Sequence, residues 1–324
     1  MISVIIATRD RAPLLRGTLE ALSGQVSPGC PVEILVVDNG SIDGTREVVE
    51  AAARESKIPV IYLTESRPGK SHALNTAVAR ARGDVLAFTD DDVLPSPGWL
   101  AAYTQAFGET GADYAAGRIL PLWEVTPPRW LTPAQHGVLA VCDGGTQRLI
   151  LAGVHDHVMP IGANMAVRRH VLDRVSGWNP DLGKLKDTLR TGEDHEFALK
   201  LAAAGFTGVY EPEACALHRV PAERLRLEYF FRWCYSNGRI EAGLEQAYPS
   251  TKNYLLRVPR YLWRRLATDL MSTMTGVVTA DSRPATSGAM RVAWFGGYLA
   301  GRWTRGALRE VGRRGPMIER SWRC

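Results

Sequence analysis

Four short runs rich in valine and isoleucine, residues 3–7, 32–37, 60–63 and 85–88, limit the fold more than any other feature of the chain. Each is nearly continuous in apolar residues instead of alternating, the mark of a strand buried on both faces. Helical spacing fills the gaps: residues 14–22 with Pro13 near the start, 43–54 with Val48, Val49 and Ala52 on one side, and 71–81 before Gly83. This alternation predicts an α/β architecture with a mostly parallel central sheet flanked by helices. Further helices are expected from about 95 to 108, over 192–204 with Gly205 at the C-cap, and over 225–244, with a short strand at 209–210. Residues 118–160 hold Pro121, Pro127, Pro128, Pro133 and Pro160 and read as a long excursion over the substrate region. Residues 255–310 read as helical segments broken by Pro259, Gly276, Pro284 and Gly296-Gly297.

A chain of 324 residues has room for one large core or two modest domains. At 45% hydrophobic and 23% charged residues it is a folding sequence, not a disordered one. Five cysteines, an odd number with no Cys-x-x-Cys pair, argue against a zinc site and a disulfide framework and point to a reducing compartment. Residues 1–8 are apolar but short and without a basic flank, so they read as a strand and not a secretory signal. No uncharged stretch reaches the roughly 18 residues of a spanning helix. A cytoplasmic protein is expected.

The net charge of +5 is uneven. From Arg257 onward there are 13 arginines and no lysine against Asp269, Asp281, Glu310 and Glu319, a net of +9, which leaves −4 for the rest. Trp263, Trp294, Trp303 and Trp322 lie in the same tail. Basic residues interleaved with tryptophan suit an anionic membrane surface. Nucleic acid, or a solvated amphipathic helix whose tryptophans pack inward, are the other readings. The first is favoured, with peripheral attachment at the cytoplasmic face, and nucleic acid is set aside.

Parallel strands end at one edge, where open α/β sheets bind ligands. There the chain puts Thr8-Arg9-Asp10, Asp38 and Asp90-Asp91-Asp92. Three adjacent acids repel one another unless a hard cation or positive group sits among them. Side chains at i and i+2 of an extended chain share a side. Asp90 and Asp92 are therefore expected to hold Mg²⁺ or Mn²⁺ on a diphosphate, with Asp91 turned away or toward a sugar. An acidic turn that caps a helix is the plainer alternative. Asp38 could accept from a base N–H or a ribose hydroxyl, or simply form an Asx turn. Neither a dinucleotide-binding nor a P-loop glycine pattern is present. Residues 67–72, Arg-Pro-Gly-Lys-Ser-His, are basic and open a helix, so Arg67 and Lys70 are expected near phosphate. Glu193-Asp194 opens another helix, where acids are favourable for dipole reasons alone. The functional reading makes one of them the base for an acceptor hydroxyl.

Taken together, these segments resemble the family 2 glycosyltransferases of the GT-A fold. Residues 3–11 resemble the family's opening strand and loop, with Ala7 and Asp10 where proline and asparagine are frequent. Residues 33–41 match the next strand, and the resemblance makes Asp38 a nucleotide-base contact. Residues 69–75, including Asn75, and Gly83-Asp84 resemble the following helix and its end. Asp90-Asp91-Asp92 fits the Asp-x-Asp metal motif. Gly162 and Asn164 lie in the segment near donor sugar and acceptor. Residues 192–197 match the Glu-Asp element, in which Asp194 is the expected base beside Glu193. His218 falls where relatives place a histidine near the diphosphate or metal; a structural histidine is the other reading. Tyr229-Phe230-Phe231-Arg232-Trp233 is an incomplete Gln-x-x-Arg-Trp, the mark of processive members, which points to single-sugar transfer with Trp233 lining the acceptor region.

The resemblance implies a GT-A catalytic domain over 1–225, with a nucleotide-binding half to about 117 and an acceptor-side half over 118–225. A basic helical extension over 226–324 completes the chain. It implies inverting, metal-dependent transfer from a nucleotide-diphospho-sugar to a hydroxyl of a glycan or lipid-linked acceptor. Thr8, Arg9, Asp10 and Asp38 would bind the nucleoside. One rival is a nucleotidyltransferase, which would want a glycine-rich loop after strand one, where residues 9–13 hold no glycine. The other is a noncatalytic sugar- or membrane-binding relative. Oligomeric state is left open.

Overall fold

The computed structural model describes residues 1–153, 158–184, 189, 191–303 and 317–318. The alternating apolar runs form β1 (Ile2–Thr8), α1 (Ala12–Ser23), β2 (Val32–Asp38), α2 (Thr45–Glu55), β3 (Val60–Thr64), α3 (Lys70–Arg80), β4 (Val85–Asp90), β5 (Val93–Pro95) and α4 (Trp99–Thr110). After them come β6 (Tyr114–Trp123), β7 (Leu149–Ala152), β8 (Asn164–Arg168), α5 (Arg169–Val175), α6 (Glu193–Ala203) and β9 (Thr207–Val220). Three helices follow: α7 (Leu227–Ala247), α8 (Arg260–Val278) and α9 (Ser282–Trp303).

The strands make one nine-stranded sheet in the order β3-β2-β1-β4-β8-β6-β9-β5, with β7 on β9. β1 to β4 run parallel. The pairs β4–β8, β6–β8, β5–β9 and β7–β9 are antiparallel. The expectation of a mostly parallel sheet therefore holds for its first half and is corrected for the second. The excursion expected over 118–160 contributes β7 and the end of β6, and the short strand at 209–210 is fourteen residues long. Residues 208–212 are buried throughout, and a two-residue period follows from Glu213, with Glu213 and Leu217 exposed.

Successive strand residues face opposite sides. Ile5, Leu35, Val37 and Phe88 pack with α3, α5 and α6 around Trp178 and Phe197. Ile2, Val4, Ile6, Ile34 and Val36 pack with α1, α2 and α4 around Trp99 and Tyr103. The sheet is thus covered on both faces. The described cysteines are all free, and no helix among the described residues is long and apolar enough to cross a membrane.

Two compact units emerge. The first holds residues 1–122, 142–188 and 193–219; the second holds 123–141, 189–192 and 220–324. The division is not one cut near 225, because residues 123–141 belong with the C-terminal helices.

In the second unit Pro259 stands at the start of α8 as expected, while α8 and α9 run on through Gly276 and Gly296-Gly297, where breaks were expected. Pro284 sits in the first turn of α9, where a missing N–H costs nothing. The glycines are points of backbone contact. A Cβ on Gly238 of α7 would meet the Trp294 carbonyl oxygen at 2.0 Å, and one on Gly297 of α9 would meet that of Tyr235 at 2.0 Å. Gly276 and Gly288 make the same close approach between α8 and α9. Trp263 and Trp294 are packed, not presented: Trp263 lies edge-on to Phe295 and Trp294 donates to Asn237 Oδ1 at 2.9 Å. Trp303 is exposed, and Trp322 lies outside the described residues.

Gly297→Ala should lower stability by about 1–3 kcal/mol, the usual cost of overpacking. Gly296→Ala, with open space at its Cβ, should gain about 0.5–1 kcal/mol of helix preference. Urea unfolding followed by far-UV circular dichroism would read both.

Candidate active site

The parallel register builds the site edge. Ala7 lies opposite Asp90 and Thr8 opposite Asp38, so the ends of β1, β2 and β4 come together. β8 runs the other way, with Asn164 opposite Thr89, which returns Gly162 to the same edge. The turn before α3 brings Lys70 there, and α6 begins there with Glu193 and Asp194.

Two charge clusters flank the end of β4. In one, Lys70 Nζ bonds Asp90 Oδ1 at 2.5 Å. Burial alone would push Lys70 down, but the carboxylates of Asp90, Asp194 and Glu193 outweigh it and hold the ammonium well above its ordinary value. Burial pushes the Glu193 carboxyl up to about 7, helped by Asp194 and opposed by Lys70. Burial likewise raises Asp194, with Lys70 lowering it and Asp90 raising it. The acids at 90 and 193–194, a hundred residues apart, therefore act on one another through a shared cation. Asp194 abuts Gly162, where a Cβ would stand 2.9 Å from Oδ1. Trp178, stacked on Phe197 at 4.6 Å, also favours the charged form of Asp194. Yet Asp194 Oδ1 and Trp178 Nε1 are both buried without a partner in hydrogen-bond geometry. An unfilled buried acceptor is uncommon and calls for an explanation.

In the other cluster, Arg11 Nη1 donates to Asp91 Oδ1 at 2.9 Å and to Asp92 Oδ2 at 2.8 Å. Thr8 Oγ1 donates to Asp91 Oδ2 at 2.8 Å. Burial pushes Asp91 up to about 6 in spite of Arg11. His218 Nε2 lies 3.4 Å from Asp92 Oδ1, placed there by the pairing of Val93 with His218. The expected alternation is corrected here. The extended chain ends at Asp90, and Asp91 and Asp92 lie in a turn, so both reach Arg11 while Asp90 reaches Lys70.

This bears on the expected metal centre. Oxygen donors suit Mg²⁺ or Mn²⁺ chemically. Among the described residues, however, no three histidine, cysteine or carboxylate groups converge to hold an ion. Asp90 is matched with Lys70, Asp92 with Arg11, and His218 stands beside Asp92 alone. As arranged, Asp90, Asp92 and His218 do not fit a common cation.

Other expected contacts have structural tasks. Asn164, 1% exposed, accepts from Trp99 Nε1 and Tyr103 Oη at 2.6 Å each and donates to the carbonyls of Arg118 and Ala214. Asn75 clamps the backbone of Trp178, donating to its carbonyl at 2.7 Å and accepting from its N–H at 2.9 Å. Both amides are engaged by groups within the fold. Asp38 accepts from the Ser41 N–H three residues on at 2.8 Å, which fixes the turn after β2, and from Tyr62 Oη at 2.7 Å. Asp10, at φ 52°, ties the two loops together by accepting from Ile42 N–H at 2.8 Å and donating its own N–H to Ser41 Oγ. Arg9 Nε is buried, 3.7 Å from Asp10 Oδ2. Arg67 forms a two-pronged pair with Glu65, its side chain mostly exposed. Trp233 belongs to the second unit, half-buried in the cluster around Phe230 and Cys234.

Arg11 and Trp178 were missed as site residues by sequence reasoning. Arg11 had one usable signal, a cation in the loop after β1 at the edge that gathers three acids.

The family model for glycosyl transferase family 2 matches residues 3–176, more than half of the chain, and the chain belongs to that family. It is 27% identical over 217 residues to the glycosyltransferase AglE of Haloferax volcanii, covering 67% of this chain and 66% of AglE. It is 28% identical over 249 residues to the succinoglycan biosynthesis protein ExoM of Rhizobium meliloti, covering 74% of this chain and 76% of ExoM. In fold it is similar to the mannosyltransferase PcManGT of Pyrobaculum calidifontis, solved with GDP-Man and Mn²⁺. That likeness has a TM-score of 0.64 at 20% identity, over 94% of this chain and 88% of that one. The fold is α/β and related to the GT-A glycosyltransferases.

Arg11→Met should cost about 3 kcal/mol near neutral pH, because it leaves two buried carboxylates without their cation. Asp91 titrates higher folded than its ordinary 3.8, so the native state holds the extra proton and its stability falls as pH rises between about 4 and 6. Removing Arg11 raises that carboxyl further and extends the fall upward. The deficit of the variant should therefore shrink toward pH 4, read by urea unfolding across pH.

Proposed function

We propose that this chain transfers a single sugar, with inversion, from a nucleotide-diphospho-sugar to a hydroxyl of a glycan or lipid-linked acceptor. The observation that carries the reading is the buried carboxylate of Asp194, its Oδ1 held against Gly162 beside the Trp178 indole in the cluster of Lys70 and Asp90. An acceptor hydroxyl entering there would donate its hydrogen bond to Oδ1 and lose its proton to it on attack. The hydroxyl oxygen bonds the anomeric carbon from the face opposite the diphosphate. The bond from that carbon to the diphosphate oxygen breaks, and its electron pair leaves with the diphosphate. In this reading Lys70 faces the charge that builds on the departing group, a fixed cation in a largely buried site.

Membership of the family supports this chemistry, and the GDP-Man bound to PcManGT makes a nucleotide-diphospho-sugar the donor class proposed here. Thr8, Arg9, Asp10 and Asp38 form the stitched loops assigned to the nucleoside, and Arg67 and Lys70 lie on the phosphate side. No step is routed through a divalent cation, because the acids expected to hold one are matched by Lys70 and Arg11. Single-sugar transfer rests on Tyr229 at the position where processive members carry glutamine.

Asp194→Asn should lower transfer by about 10²–10⁴-fold, the usual worth of a positioned base, while leaving nucleotide diphosphate affinity within about threefold. Asp194 must be ionised to act, so activity should rise with pH along its acid limb. Lys70 favours the charged form, so Lys70→Met should move that limb to higher pH. A panel of nucleotide-sugars read by diphosphate release, with and without Mn²⁺, would supply the donor. Full transfer by Asp194→Asn, or retained anomeric configuration in the product, would remove the assigned role.

A further inference from the structure

The second unit has a surface that its role in packing does not explain. Helix α8 turns Leu262, Asp269 and Gly276 inward. The opposite side, where a soluble protein places charge, carries none over its last three turns. Leu270 is 45% exposed, Met271 59%, Met274 68%, Val277 69% and Val278 84%. Between residues 267 and 280 the sole charged residue is Asp269, which is buried and paired with Arg291. Large side chains gathered in this way on an exposed helix face mark an interaction surface.

The surroundings of the stripe say what covers it. Arg260 and Arg264 are exposed on the same outward side of α8, nearly three and nearly two turns before the apolar part. Lys252 and Arg257 are exposed just ahead of the helix, and Arg283 just after it, beside Asp281. Arg283 is paired with Asp281, so the free cations lie at the start of the helix and the apolar outward face follows them, a combination that suits an anionic headgroup layer. A second copy on this face would bring like charges together, which opposes association. We infer that the outward face of α8 is a docking surface for an anionic lipid bilayer, with Leu270, Met271, Met274, Val277 and Val278 entering the acyl boundary. Arg260 and Arg264 meet the headgroups. This moves the membrane contact away from Trp263 and Trp294, which are packed. It stands apart from the catalytic reading, since lipid binding needs neither Asp194 nor a donor.

The test is flotation of the full chain with vesicles of phosphatidylcholine alone and of phosphatidylcholine with phosphatidylglycerol, at low and high salt. The chain should float with the anionic vesicles, and less so at high salt. Met271→Asp with Met274→Asp should cut binding by about tenfold or more, as loss of two buried apolar side chains requires. The milder pair Val277→Ser with Val278→Ser should weaken it in the same direction. Arg260→Gln with Arg264→Gln should remove the preference for anionic lipid. Unchanged circular dichroism would show that each variant is folded. No flotation of the parent at low salt would overturn the proposal. So would flotation that both apolar pairs leave intact, or a dimer in sedimentation that the aspartate pair dissolves.

Discussion

A largely buried ammonium, that of Lys70, faces carboxylates from two distant parts of the chain. Asp90 ends β4, and Glu193 and Asp194 open α6. Brought together without a cation, three such acids would repel one another in a poorly solvated space, and two of them would take up protons instead of staying charged. With Lys70 among them the charged form of Asp194 is favoured against its burial. On the other side of the same strand end, Arg11 does the equivalent for Asp91 and Asp92. The edge of the sheet carries two charge clusters, each a single cation shared among several acids, not one free acidic patch.

That arrangement depends on rigid parts that make no contact with a reacting atom. The parallel ladder sets Asp90 beside Ala7, and the antiparallel strand beyond it returns Gly162 toward Asp194. Asn164 ties β8 to α4 and to β6 and β9, and Asn75 ties α3 to the segment that carries Trp178. Trp178 is wedged between Phe88 and Phe197, so the wall behind Asp194 cannot drift. Such supporting contacts hold a site to the tolerance that proton transfer needs.

The first half of the fold was legible because β1 to β4 are short apolar runs with helical patterns between them, a purely local signal. The second half was not. β8 opens with an asparagine whose partners lie 46 to 65 residues away, and β9 contains Pro212 and two glutamates, which read as loop until the strand pairs. Gly296-Gly297 reads as a helix break in isolation and becomes a contact point only when α7 lies against it. At the site, the acids at 90–92 and 193–194 and Lys70 were visible by charge and position. Their pairings were not, because Asp90 and Asp92 separate where the strand ends and the turn begins. Asn75 and Asn164 enter the expected site only through the family resemblance, and the groups that partner them come from elsewhere in the fold.

The central claim is that Asp90 and Asp194 occupy one electrostatic site. Carbon-13 labelling of aspartate carboxyls, with the Asp194 signal assigned by its loss in Asp194→Asn, measures this directly as a pH titration of the parent and of Asp90→Asn. Removing the negative charge at residue 90 should shift the Asp194 midpoint to lower pH, since that charge holds it up and the released Lys70 would hold it down. A midpoint that stays where it was would contradict the account, because the two carboxylates would then not share a site.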